Sequence, residues 1–268
     1  MKCTHLYSFI ILSFCSTFFD FMVLSDGKNI FPRDRIIHIF ISCLLFSLFA
    51  VAVKKLDFKI GNLKSIILIL IVSKLIFTTT HMVQYYQTYH ASNIIGILIF
   101  TLVTAVITYD ITDKKLSQLY IFLALGNIMM ILMMVVLSWN KIDIANIYSN
   151  SLDFSFSFEK MPLFFEVITI SAITNKGKER MYVQKIYLLI TTFVLILVVV
   201  LQGLCINGNI MYSIAPMQSL FQIYSGKTIK RFDYIFTVLQ SINYFATVIL
   251  CTRAIKNIFD METIVEKY

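Results

Sequence analysis

Hydrophobic residues are arranged along this chain in eight stretches, and polar residues are concentrated in the short segments between them. Most stretches approach the roughly 20 residues that an α-helix needs to cross the hydrocarbon core of a bilayer. The pattern therefore predicts an all-α integral membrane protein with one polytopic domain over residues 1–268. The predicted spans lie at about 6–24, 36–53, 65–83, 94–109, 116–138, 154–174, 186–206 and 234–252.

The sixth stretch is the most polar of the eight, since it contains Glu159, Lys160, Pro162 and Glu166. Its alternation of Phe and Ser over residues 154–158 is compatible with an extended segment that leads into a helix near Pro162. We expect this helix to be shortened or broken near the proline.

Two charged residues stand out because they lie deep inside predicted spans. Lys74 is near the middle of the third span, roughly 13 Å from either end at the rise of an α-helix. A lysine at that depth costs on the order of 3 kcal/mol on insertion scales and usually faces a bundle interior or a cavity. Glu166 is the only glutamate deep in another span. One buried cation and one buried anion on separate helices predict a polar site between helices.

Composition agrees with the hydrophobic pattern. Hydrophobic residues make up 58% of the chain and charged residues 14%, against about 25% charged residues in ordinary soluble domains. The net charge of +8 does not imply nucleic-acid binding, because basic residues between spans set orientation. With a cytoplasmic N-terminus, 14 Lys and Arg residues fall inside and eight outside. This excess predicts that both termini are cytoplasmic.

Motifs for catalysis, metal binding and cofactor binding are not found in the sequence. It has no GxSxG, HExxH or Walker loop, and its four histidines lack metal-ligand spacing. The five cysteines show no pairing pattern, and most lie in or beside apolar spans, where they are expected to act as small hydrophobic residues. The sequence predicts a protein that is not an enzyme and has no metal or cofactor.

Several short motifs occur in an order that is typical of one membrane family. Pro32-Arg33-Asp34-Arg35 precedes the second span, and Asp143-Ile144-Ala145-Asn146 follows the fifth. Glu166 lies upstream of a lysine-rich segment, and Tyr212 to Met217 with Ile229 to Asp233 precede the eighth span. Because these motifs occur in this order, the chain resembles the permease-like B subunit of bacterial spore germinant receptors, a branch of the amino acid–polyamine–organocation transporters.

The resemblance implies a LeuT-like fold with a 5+5 inverted repeat, which eight helices would complete only in part. It implies a spore germination protein in the spore inner membrane or plasma membrane that senses an amino acid or similar small nutrient. Its partners would be A-type and lipoprotein C-type receptor subunits. The sequence departs from the superfamily in the first span, which has no glycine before Gly27 to allow unwinding.

The candidate ligand-binding residues are Ser16, Thr17, Lys74 and Glu166, from helices that would surround a site with the eighth span. Lys74 and Glu166 would meet the carboxylate and the ammonium of a zwitterion. The alternative is that the two pair with each other and only hold helices together, in which case Glu166→Gln would leave an unpaired buried lysine. At the level of function, an amino-acid secondary transporter and a degenerate paralogue without a ligand remain open.

Overall fold

The structure, a computed structural model, describes residues 3–23, 32–54, 61–90, 94–110, 113–139, 164–174, 177–205 and 232–265. These residues form an all-helical protein. The eight helices within them are α1 (Cys3–Val23), α2 (Pro32–Lys54), α3 (Gly61–His90), α4 (Ile94–Asp110), α5 (Asp113–Ser138), α6 (Glu166–Ile173), α7 (Gly177–Cys205) and α8 (Phe232–Val265).

Four of these helices contain apolar stretches long enough to cross a membrane. The stretches are Asp34–Ala52, Lys64–Gln87, Arg180–Leu204 and Tyr234–Phe259, and three shorter apolar stretches lie in α1, α4 and α5. Large aliphatic side chains on the outside of the bundle are mostly uncovered, including Leu102, Val136 and Leu189, which are each at least 66% exposed. Such an apolar surface is favourable in lipid and unfavourable in water. The protein is therefore membrane-embedded.

Each predicted span overlaps one observed helix, with differences at the ends. Helices α3 and α8 extend beyond the predicted spans, because polar residues continue each helix past its apolar part. The sixth helix is short, since Phe164 and Phe165 precede it outside the helix and α6 begins at Glu166. Pro162 and residues 154–163, 143–148 and 212–231 lie outside the described residues.

Helices α1 and α8 form the centre of the bundle. They pack against each other, and both also contact α3, α5 and α6. Helix α7 covers another side of α1 and carries α2 on its outer side, while α4 packs on α8. Fully buried aromatic side chains fill the core, among them Phe18, Phe19, Tyr187 and Tyr244. Five polar residues of α1 are consequently buried: Ser8, Ser13, Ser16, Thr17 and Asp20.

Polar side chains also connect the helices within this core. Asn127 of α5 and Asn243 of α8 each donate an amide hydrogen bond to the other's side-chain oxygen, at 2.8 and 2.6 Å. The Tyr244 hydroxyl is hydrogen-bonded to Thr79 of α3 at 3.0 Å and Thr101 of α4 at 2.6 Å. Interhelical hydrogen bonds of this kind hold membrane helices together, because lipid gives apolar side chains little reason to associate.

Candidate functional site

A buried cation lies between two buried carboxylates at the middle of the bundle. The Lys74 ammonium of α3 contacts Oδ2 of Asp20 on α1 and lies 3.1 Å from Oε1 of Glu166 on α6. Lys74 is 3% exposed, Asp20 is 6% exposed and Glu166 is 1% exposed. We call Asp20, Lys74 and Glu166 the charged centre. Three helices that are far apart in the sequence meet at this one point.

Hydroxyl groups surround the carboxylate of Glu166. Ser16 donates to Oε1 at 2.7 Å, and the hydroxyls of Thr17 and Tyr187 lie 2.8 and 3.1 Å from Oε2. Thr247 of α8 is hydrogen-bonded to Ser16 at 2.8 Å. Hydrogen bonds from these groups replace the water that the carboxylate loses on burial, which makes an ionised Glu166 tolerable in the core.

Asp20 has fewer hydrogen-bond donors around it. Besides Lys74, the only hydrogen bond observed among the described residues comes from the Thr78 hydroxyl of α3, 3.3 Å from Oδ1. The two carboxylates of the charged centre therefore differ in their surroundings. Glu166 is contacted by Lys74 and three hydroxyl groups, whereas Asp20 is contacted by Lys74 and one hydroxyl group.

Helix geometry explains how α1 contributes so many groups to the site. Ser16, Thr17 and Asp20 are three and four residues apart, so they lie on one face of an α-helix. Ser13 is one turn before Thr17, and its backbone carbonyl oxygen accepts a hydrogen bond from the Thr17 hydroxyl at 3.0 Å. The Ser13 hydroxyl is buried and has no hydrogen-bond partner among the described residues.

Glu166 is the first residue of α6. The positive end of the helix dipole lies at the first turn and stabilises an ionised carboxylate there. The rest of this short helix is fixed by α7, since Gln184 donates to the carbonyl of Val167 at 2.9 Å and to Ser171 at 2.6 Å. Arg180 donates to the carbonyl of Thr174, at the other end of α6.

The structure brings together all four of the residues predicted to form the site: Ser16, Thr17, Lys74 and Glu166. The sequence analysis did not include Asp20, a second buried carboxyl group that contacts Lys74. Asp20 lies near the end of the predicted first span, where a carboxylate would normally reach the headgroups. The hydropathy pattern gave no sign of Thr78, Tyr187 and Thr247.

Cys15, Cys43 and Cys251 are free thiols, and Cys15 and Cys251 are buried. Within the described ranges, no group of three His, Cys, Asp or Glu side chains is arranged to hold a metal ion. Comparisons of the chain with protein-family models, with curated proteins and with solved structures found no match.

Proposed function

We propose that this protein is the permease-like membrane subunit of a nutrient receptor of the spore germinant type, and that its charged centre binds a small zwitterion such as an amino acid. The observation that carries the binding proposal is the position of two carboxylates and one ammonium at the meeting point of α1, α3 and α6. The sequence resemblance supports the receptor assignment.

The charged centre offers a partner for each end of a zwitterion. An entering ammonium group would take the place of the Lys74 ammonium beside Asp20, and the ligand carboxylate would pair with the displaced lysine. Ser13 supplies a buried hydroxyl that is free to bind a polar ligand atom. Because the centre has two carboxyl groups and one lysine, it can pair with both the ammonium and the carboxylate of one zwitterion.

This function goes with a polytopic arrangement of eight spans that resembles an incomplete 5+5 inverted repeat, with both termini cytoplasmic. The position of Glu166 at the start of α6 supports the comparison, because helix ends contribute to the binding sites of such transporters. The binding site would be lined by α1, α3, α6 and α8. The A-type and lipoprotein C-type subunits would be its partners.

Ligand binding can be tested with purified protein in detergent by thermal unfolding in the presence of single amino acids. A ligand at a hundred times its Kd raises the free energy of unfolding by about 2.7 kcal/mol. For any amino acid that stabilises the protein, the N-acetyl derivative removes the ammonium and the amide removes the carboxylate. We expect the N-acetyl derivative to lose most of the effect. An amino-acid panel without any stabilisation would contradict the binding proposal.

The receptor role needs a cellular experiment. In a spore former that carries this gene, Glu166→Gln is expected to weaken nutrient-triggered germination while the amount of protein in the spore membrane stays near normal. Co-purification of A-type and C-type subunits with the tagged chain would support the receptor. If deletion of this gene leaves germination unchanged for all nutrients, the result would favour a degenerate paralogue.

A secondary transporter is the second candidate, and the two buried carboxylates beside Lys74 favour it, because groups of this kind serve in ion coupling. Uptake of a radiolabelled amino acid into proteoliposomes separates the two functions. Accumulation against a gradient indicates transport, whereas saturable binding without accumulation indicates a receptor.

A further inference from the structure

The charged centre has an excess of negative charge when all of its groups are ionised. Two carboxylates and one ammonium sum to −1, and the site is at most 6% exposed. An uncompensated charge in such surroundings costs several kcal/mol, and two carboxylates that share a site rarely ionise together. The centre therefore needs one additional positive charge, and the smallest cation that fits between packed side chains is a proton.

No other described group near Asp20 supplies this positive charge. The Arg35 guanidinium of α2 lies over the ring of Phe21, 5.0 Å from its centroid, and donates to Gln202. Helix α5 contributes the uncharged amide of Asn127, which contacts Cys15. The titratable groups on the packed helices that interact with Asp20 are Lys74 from α3, Glu166 from α6, Tyr187 from α7 and Cys251 from α8.

The hydrogen bonds indicate which carboxylate takes the proton. Donors directed at a carboxylate favour its ionised form, and Glu166 is contacted by Ser16, Tyr187 and Lys74. The Thr17 hydroxyl is also near Glu166, but its one hydrogen is shared with the Ser13 carbonyl. Asp20 has Lys74 and a long contact to Thr78. The Thr78 hydroxyl oxygen is also able to accept a hydrogen bond from a protonated Asp20.

We propose that the charged centre binds one proton at neutral pH and that Asp20 carries it. Lys74 and Glu166 then form a neutral ion pair, and Asp20 is a neutral carboxylic acid whose carbonyl oxygen accepts a hydrogen bond from Lys74. This proton site exists whether or not a nutrient binds, so its test is independent of the proposed receptor function.

Infrared difference spectroscopy of the purified protein measures this proton directly, because a protonated carboxyl group has a C=O stretch that a carboxylate lacks. We expect a band from one protonated carboxyl in the wild type that is lost in Asp20→Asn. It should also be lost in Glu166→Gln, since Asp20 then ionises to balance Lys74. In Lys74→Met the band should double, because both carboxyls become protonated. Asp34→Asn, at another buried aspartate, is the matched control and should leave the band intact.

Two milder variants locate the proton. Thr78→Val removes the hydroxyl next to Asp20 and should shift the frequency of the band. Thr17→Val removes a hydroxyl next to Glu166 and should leave the frequency of the band unchanged. The proposal is overturned if the wild type has no band that Asp20→Asn or Glu166→Gln removes. It is equally overturned if Thr17→Val shifts the band and Thr78→Val does not. The threonine variants keep the test decisive even if Asp20→Asn fails to fold.

Discussion

Lys74 joins three helices, because its backbone belongs to α3 while its ammonium contacts carboxylates on α1 and α6. A lysine side chain near a helix end extends to the headgroups, but Lys74 is ten residues from the start of its apolar stretch at Lys64 and cannot do so. Its charge is instead compensated inside the protein. The stability of the bundle should therefore depend on the balance of the three charges.

Replacing Lys74 by methionine should be the most destabilising change in the charged centre. Lys74→Met leaves two carboxyl groups without a cation, and breaking a buried ion pair costs about 3–5 kcal/mol. Thermal unfolding in detergent measures the loss. Adding Asp20→Asn and Glu166→Gln to Lys74→Met should recover most of it, because an amide is uncharged without having to take up a proton. Lys185→Met, at an exposed lysine of α7, is the control and should change little. Equal effects of Lys74→Met and Lys185→Met would contradict the prediction.

Replacing Glu166 by glutamine should have a smaller effect than the sequence alone suggested. Without Asp20, this change would leave Lys74 unpaired. Because Asp20 remains as a partner, we expect a loss of about 1–3 kcal/mol from weakened hydrogen bonds to the former carboxylate. The same unfolding measurement shows whether Lys74 keeps a partner. A loss of stability in Glu166→Gln as large as that in Lys74→Met would show that Asp20 does not compensate the lysine.

At the scale of secondary structure, α6 and the amide pair of α5 and α8 have different roles. Helix α6 has eight residues and places Glu166 at its first turn, so it serves mainly to position the carboxylate. The pair Asn127 and Asn243 connects two long helices. Gly126, next to Asn127, also lies against α8, since a Cβ atom there would lie 2.8 Å from Leu239 Cδ2 and would require the leucine side chain to move.

The amide pair should behave as one unit in a double-mutant cycle. Asn127→Leu or Asn243→Leu alone leaves a buried amide without its partner, which costs about 1–3 kcal/mol. Leucine has nearly the shape of asparagine, so the double variant should cost less than the sum of the single variants. Unfolding of the four proteins gives the coupling energy, and Gln87→Leu serves as an exposed control. Strictly additive effects would rule out the interhelical hydrogen bonds.

At the scale of the whole molecule, the unequal distribution of Lys and Arg residues predicts the orientation in the membrane. In a background without native cysteines, single cysteines at positions 28 and 227 should react with a membrane-impermeant maleimide in intact cells. Cysteines at positions 59 and 178 should react only after permeabilisation. The reverse pattern would place the N-terminus outside and contradict the orientation.

The sequence by itself determined the class of protein and the approximate positions of most helices, because hydrophobic stretches of membrane length have few alternatives to helices in lipid. It also identified Lys74 and Glu166, since an ionised residue deep in an apolar span needs a partner. It did not identify Asp20, because hydropathy gives the distance along a span and not the direction in which a side chain points. The packing of α1 against α3, α6, α7 and α8 decided that direction. Only the tertiary structure therefore shows that the lysine has two carboxylate partners, which is the reason for the excess charge of the site.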